Sequence, residues 1–172
     1  MPNQSLFEIL RHLQSTGFRD LSGARISGTV PVSERLIDEI VASAVRPGGP
    51  VREVRVHPLP GDTFSVRVAP RASLLPSITL RLEIDRQPEF PTSPVLVLRM
   101  ATMGGLFGLA AAALPIAGML PPGVRLDGDR ILVDLRAIAA DRDAADLLEY
   151  VTGLQLHTED GRVVLHVDLS IP

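Results

Sequence analysis

The sequence predicts an α+β fold in which a curved antiparallel meander sheet wraps around one or two apolar helices. Several segments alternate apolar and polar residues with a period of two, which is typical of strands covered on one side only. The segment from Met100 to Val124 has no charged side chain, so a water-soluble chain must hide it in its core, in a partner or in lipid. The length of 172 residues indicates one domain spanning 1–172.

The N-terminal part predicts two helices separated by an extended stretch. Residues 1–22 are expected to form an amphipathic helix and a connector, because apolar residues recur there at helical spacing. The stretch from Ala24 to Val30 is extended, and Ser33 is a good N-cap for the next helix. That helix has an apolar face and ends at Pro47-Gly48-Gly49-Pro50. Its apolar face consists of Leu36, Ile37, Ile40, Val41, Ala44 and Val45.

A run of strands follows the second helix. Alternation around Val54, around Val66 and from Ile78 to Ile84 predicts three strands with one apolar face each. The segment Val95–Met100 is apolar on both faces, so this strand should be covered on both sides or lie at an interface.

The C-terminal part predicts a hairpin, a helix and a second hairpin. Asp127-Gly128-Asp129 is a strong turn signal between two short strands. Asp141 suits the N-cap of a helix that reaches Val151. Glu159-Asp160-Gly161 predicts the turn of the last hairpin.

Composition excludes several classes of function. All 17 basic residues are Arg, so Schiff-base lysine chemistry is impossible, and the absence of Cys excludes disulfides and thiolate metal sites. A net charge of −3 without a basic run argues against nucleic-acid binding. Aromatic residues make up only 3%, so the aliphatic core suits flexible chains better than ring-shaped ligands. No cofactor is expected, and the N-terminus lacks signal-peptide features, which predicts a cytoplasmic protein.

The candidate catalytic residues are His157, His166 and Asp168, which lie on the predicted last hairpin. Across an antiparallel pair these side chains could approach each other and form a metal or acid–base site. A solvated sheet face is the favoured interpretation, because a usable metal site needs three or four ligands. No activated nucleophile can be assembled, so a non-enzymatic role is favoured and an enzyme acting on an apolar substrate is the weakest hypothesis.

One stretch carries a resemblance to a known superfamily. The sequence Ile26-Ser-Gly-Thr-Val-Pro-Val-Ser-Glu-Arg-Leu-Ile-Asp-Glu-Ile-Val resembles the opening of tubular lipid-binding proteins, the bactericidal/permeability-increasing superfamily, and of their small bacterial relatives. Those proteins begin with a strand and a helix, followed by a curved meander that wraps a helix. The likeness covers Ala24 to Leu135 in element order and implies a carrier of acyl chains. This chain departs from the pattern in having no visible export signal and an unusually apolar segment at 101–120.

The expected function is binding of a fatty-acyl or lipid-like ligand in a groove between helix and curved sheet. The expected lining residues are Leu36, Ile40, Ile78, Leu80, Leu82, Leu106, Phe107, Leu109 and Leu114. The uncharged segment could be a core helix, the lining or lid of a cavity, or a membrane-contacting element, although Pro115 and several glycines argue against a membrane span. The alternative function is an interaction module that docks a partner or forms a homodimer through Val95, Val97 and residues 101–120.

Overall fold

The computed structural model describes residues 21–45, 48–72, 76–101 and 120–172. The predicted N-terminal helix and the central part of the uncharged segment lie outside these residues. The elements, in chain order, are β1 (Arg25–Ser33), α1 (Glu34–Ala44), β2 (Val51–Leu59), β3 (Thr63–Pro70), β4 (Ile78–Arg86), β5 (Val95–Met100), β6 (Val124–Asp127), β7 (Arg130–Asp134), α2 (Leu135–Asp141), a 3₁₀ helix (Ala145–Tyr150), β8 (Val151–Glu159) and β9 (Arg162–Ser170).

The strands form two antiparallel sheets. The larger sheet has six strands in the order β2-β3-β4-β5-β7-β6 and is strongly curled. Its first four strands are neighbours in chain order, so the predicted curved meander is confirmed. The smaller sheet has the order β1-β9-β8. Strands β5 and β6 both run antiparallel to β7 and therefore parallel to each other. The end of β5 at Met100 and the start of β6 at Val124 therefore lie at opposite ends of the strand direction.

The strand register stacks apolar residues in rows across one face of the larger sheet, which we call the inner face. Alternation along each strand places every second residue on this face. The rows, read across the paired strands, are Val54–Val68–Ile78, then Val56–Val66–Leu80, then Pro58–Phe64–Leu82–Met100, then Ile84–Leu98–Ile131–Leu126, and finally Leu96–Val133–Val124.

The core lies between the two sheets. Phe64 and Leu82 of the larger sheet pack with Val163 of the smaller sheet, and Val32, Leu156 and Leu165 add to this cluster from the smaller sheet. Among the described residues, the partner of the inner face is therefore mainly a second sheet. The finer prediction, a sheet wrapped around apolar helices, is not confirmed by this part of the chain.

Helix α1 lies along the outer edge of β2. Ser33 caps its N-terminus, as predicted, with its side chain accepting a hydrogen bond from the Leu36 N–H (3.4 Å). The Asp38 carboxylate accepts a hydrogen bond from the Val56 N–H (3.0 Å), and Glu34 Oε2 lies 2.8 Å from His57 Nδ1. A carboxylate that accepts an edge N–H covers a strand edge that would otherwise be open to pairing.

Both predicted hairpin turns are confirmed, but the helix that follows the first hairpin starts earlier than the predicted one. Gly128 and Gly161 adopt positive φ values of 60° and 70° in the two turns. Asp134 caps α2 by accepting from the N–H groups of Arg136 and Ala137, whereas the helix ends at Asp141. The predicted helix from Asp141 to Val151 is replaced by a turn and a short 3₁₀ helix.

Strand β5 is covered on both sides, as its composition predicts. Successive residues Leu96 and Val97 point to opposite faces, and both are buried. Val97 is only 3% exposed, so it contributes no docking surface, contrary to the expectation of the alternative hypothesis. Within the described ranges, no helix has the length and hydropathy that a membrane span requires.

Candidate functional site

The inner face of the larger sheet is unevenly covered. The row that contains Phe64 and Leu82 is buried against Val163 of the smaller sheet. The two rows on the side toward the start of β2 are half-buried along their whole width, and so is the row of Ile84, Leu98, Ile131 and Leu126 on the other side. The two rows toward the start of β2, which we call the half-covered rows, consist of Val54, Val68 and Ile78, and of Val56, Val66 and Leu80. They form an aliphatic surface at the end of the sheet where β2 and β4 begin and β3 ends.

The predicted ligand-lining residues fall into three groups. Ile78 and Leu80 lie in the half-covered rows, whereas Leu82 is 4% exposed and belongs to the core. Leu36 and Ile40 of α1 are exposed by 46% and 43%. The remaining candidates lie outside the described residues, namely Leu106, Phe107, Leu109 and Leu114.

Helix α1 connects the exposed residues Leu36 and Ile40 to the half-covered rows. Ile37 packs against the same cluster as Val66 and Leu80. Ile40 follows Ile37 by three positions and Leu36 by four, so these side chains are neighbours on one side of the helix. The apolar surface therefore continues from the sheet to the flank of α1.

The opposite, outer face of the larger sheet is charged and paired. Arg99 Nη2 lies 3.2 Å from Glu83 Oε2, and Arg130 Nη2 lies 3.3 Å from Asp85 Oδ2. The pKa of Glu53 is lowered because the Arg55 side chain donates a hydrogen bond to it (2.6 Å) and attracts its charge. These charged side chains make this part of the outer face a solvated surface, whereas Val97 on the same face is buried.

The histidines of the last hairpin do come together. The rings of His157 and His166 lie 5.7 Å apart in an edge-to-face arrangement. His157 Nδ1 is 3.4 Å from Asp62 Oδ1, and His166 Nδ1 is 3.0 Å from Thr29 Oγ1. Each ring is thus engaged by a neighbour on another strand or turn.

Asp168, the third candidate catalytic residue, is held elsewhere on the same sheet face. Ser27 donates its hydroxyl hydrogen bond to Asp168 Oδ1 (2.5 Å), so the serine is paired with the carboxylate and not with a histidine. A nucleophile–base–acid relay needs one imidazole that contacts both a hydroxyl and a carboxylate. His166 has the Thr29 hydroxyl beside it, whereas the Asp168 carboxylate accepts from Ser27. In the described part of the chain, no group of three or more His, Asp or Glu residues is arranged to hold a metal ion.

Polar contacts that the sequence does not signal join the two sheets. Thr158 of β8 is buried; it donates its hydroxyl to the Leu59 carbonyl (2.5 Å) and accepts from the Thr63 N–H (2.9 Å). Asp62 accepts from the Thr158 N–H (3.1 Å), and Gln87 binds the backbone of Leu156. These residues have no distinctive spacing, because their partners are distant in sequence.

Comparison with known proteins adds no relative: no family model, curated protein or solved structure matches the chain.

Proposed function

We propose that the protein binds the aliphatic chain of a fatty acid or lipid along the half-covered rows and the adjoining flank of α1. The observation that carries this proposal is the uneven cover of the inner face. Its core row is buried, yet two complete rows of aliphatic side chains stay half-buried beside it. Large contiguous apolar surface on a folded chain is typical of a binding site.

The chemistry of the surface favours a hydrocarbon chain over a ring. The half-covered rows contain Val, Ile and Leu only, and Leu36 and Ile40 add two more aliphatic side chains. Such a surface offers no aromatic plane for stacking. Burial of each CH₂ of an acyl chain contributes about 0.8 kcal/mol, so a chain of ordinary length could bind through these contacts.

The experiment is a fluorescence titration of the full chain with cis-parinaric acid, a fatty acid whose emission rises when it leaves water. Wild-type protein is expected to give saturable binding. The variants Ile78→Ser and Leu80→Ser remove aliphatic contacts and are each expected to weaken binding about tenfold, which corresponds to about 1.4 kcal/mol.

Thr79→Ala is the matched control, because Thr79 lies between the two test residues on the exposed outer face. It should bind like wild type. Circular dichroism and urea unfolding establish that each variant is folded. Absence of saturable binding to folded wild type rejects the function, and wild-type affinity in both serine variants rejects the assigned surface.

A second candidate is an interaction module that assembles through an apolar surface. It is favoured by Ile26 and Val30 of β1, which are 43% and 49% exposed on a strand at the edge of the smaller sheet. Sedimentation velocity over a wide concentration range tests it. A single monomeric species at every concentration, with no partner bound, would remove this candidate.

A further inference from the structure

Strand β1 differs from the other edge strands of the two sheets. Helix α1 covers the outer edge of β2 through Asp38. At the outer edge of β8, backbone N–H groups donate to the side chains of Asp62 and Gln87. Strand β6 has only four residues, two of them charged. Strand β1 has nine residues, and all except Val32 are exposed. Long exposed edges with apolar residues are templates for pairing with another strand.

The hydrogen bonds at the two ends of β1 show which of its backbone groups point outward. The Ile171 N–H donates to the Ala24 carbonyl (3.0 Å), and the Glu34 N–H donates to the Gly161 carbonyl (2.9 Å). Bonded positions alternate along an antiparallel strand, so the even-numbered residues bond β9. The N–H groups of Arg25, Ser27 and Thr29 therefore point away from β9, and no hydrogen bond from them is found among the described residues.

The sequence of β1 is self-complementary about Gly28. When β1 is placed antiparallel to a copy of itself with Gly28 on the two-fold axis, Ile26 lies opposite Val30 and Ser27 lies opposite Thr29. Ser27 and Thr29 then exchange both backbone hydrogen bonds, because both have outward-pointing groups. Pro31, which has no N–H, lies opposite Arg25 and still accepts through its carbonyl oxygen.

Side chains on the two sheet faces also match in this register. Ile26 and Val30 lie in non-hydrogen-bonded pairs, in which opposing side chains come closest. Both are half-exposed in the single chain and would cover each other in the pair. On the other face, Ser27 and Thr29 are already turned toward Asp168 and His166 of β9 and do not obstruct the approach.

We infer that the partner of β1 is a second copy of this chain, bound edge to edge with Gly28 on the axis, so that two three-stranded sheets form one continuous sheet. Such a two-fold interface closes on itself, because the same strand serves on both sides. This inference deepens the second candidate function and is independent of ligand binding.

The register can be tested by cross-linking, because the chain has no Cys. In a non-hydrogen-bonded pair the opposed Cα atoms are about 4.5 Å apart, which a disulfide can span. A Cβ added at Gly28 meets no atom within 4 Å, so Gly28→Cys should fold normally. We expect Gly28→Cys to form a covalent dimer rapidly on mild oxidation, at least about tenfold faster than Ser27→Cys or Thr29→Cys.

Sedimentation equilibrium of the uncross-linked chain supplies the second readout. Wild type should be a dimer, and Val30→Lys and Thr29→Pro should each raise the dissociation constant at least about tenfold. Lysine places a charge opposite Ile26, and proline removes an outward N–H while leaving the backbone hydrogen bonds to β9 in place. Asp146→Lys, an exposed change on the 3₁₀ helix, is the control and should leave the constant unchanged.

The outcomes separate this inference from the candidate function on which it builds. A monomer at all concentrations overturns both. The β1 interface is overturned if the protein dimerises but neither Val30→Lys nor Thr29→Pro changes the dissociation constant, and if Gly28→Cys cross-links no faster than Ser27→Cys or Thr29→Cys. The protein would then be an interaction module that uses another surface. Open-ended oligomers would also overturn the β1 interface, because a two-fold β1 pair stops at two chains.

Discussion

Gln87 binds both backbone groups of Leu156. Its Oε1 accepts a hydrogen bond from the Leu156 N–H (3.0 Å), and its Nε2 donates to the Leu156 carbonyl (2.8 Å). A side-chain amide thus takes the place of a neighbouring strand at the outer edge of β8. This contact ties the end of β4 in the larger sheet to the smaller sheet.

Replacing Gln87 by Ala should destabilise the fold by about 1–3 kcal/mol, because both part-buried backbone groups of Leu156 lose their partner. The free energy of unfolding is measured by urea denaturation. The matched control is Gln155→Ala, one position before Leu156, where the side chain is exposed. Equal losses of unfolding free energy in Gln87→Ala and Gln155→Ala would show that the Gln87 amide contact does not stabilise the fold.

Asp134→Ala should cost about 1 kcal/mol, because two N–H groups at the start of α2 lose their acceptor. Asp141→Ala should be neutral or slightly stabilising, since an acidic residue at the last turn opposes the helix dipole. Thermal or urea unfolding of both variants measures the difference. A larger loss of stability in Asp141→Ala than in Asp134→Ala would contradict the assignment of Asp134 as the cap of α2.

Leu82→Ala should destabilise the protein by about 2–5 kcal/mol, because Leu82 is buried between the sheets and its loss leaves a cavity. Leu36→Ala should change stability by no more than about 0.5 kcal/mol, since Leu36 is exposed on α1. Urea unfolding of the ligand-free chain compares the two. A loss of unfolding free energy in Leu36→Ala as large as that in Leu82→Ala would mean that the Leu36 side chain is buried in solution.

Gly123→Ala should be more destabilising than Gly128→Ala. Both glycines have positive φ, which costs a residue with a Cβ about 1–2 kcal/mol. At Gly123 the added Cβ would also lie 2.9 Å from the Ile138 side chain and 3.0 Å from the Asp134 carbonyl oxygen, whereas at Gly128 it meets nothing within 4 Å. The two unfolding midpoints, measured in parallel, check this order, and equal values would contradict the close approach at Gly123.

Local patterns predicted most of the strands. The period-two alternation from Ile78 to Ile84 marks β4, and Gly128 and Gly161 mark turns because each needs a positive φ. Ser33 was recognisable as a cap from its local sequence. These features depend on residues close together in the chain, which a sequence displays directly.

Features that depend on distant residues could not be predicted. Asp134 and Asp141 both precede helix-forming residues in the sequence. The helix starts after Asp134, where the Leu135 N–H donates to the Pro94 carbonyl (2.9 Å) beside the start of β5. The pairing of β1 with β9 joins strands more than a hundred residues apart and has no local signal.

The candidate site was predicted in part for the same reason. Alternation places Ile78, Leu80 and Leu82 on one face, but nothing in the pattern shows that Leu82 is buried by Val163 while Leu80 stays half-covered. Leu36 and Ile40 share an apolar helix face with Ile37, yet only Ile37 reaches the core cluster. The sequence identifies the face, and the packing of the second sheet decides which part of it stays open.

The position of a bound acyl chain tests the proposed binding surface most directly. A fatty acid carrying a nitroxide near its methyl end, added to isotopically labelled protein, broadens the nuclear magnetic resonance signals of nearby groups. We expect selective broadening of the methyl signals of Ile78, Leu80 and Val66, while the Thr79 methyl and other outer-face signals stay sharp. Broadening confined to the outer face, or none at saturating fatty acid, would contradict the proposed binding surface.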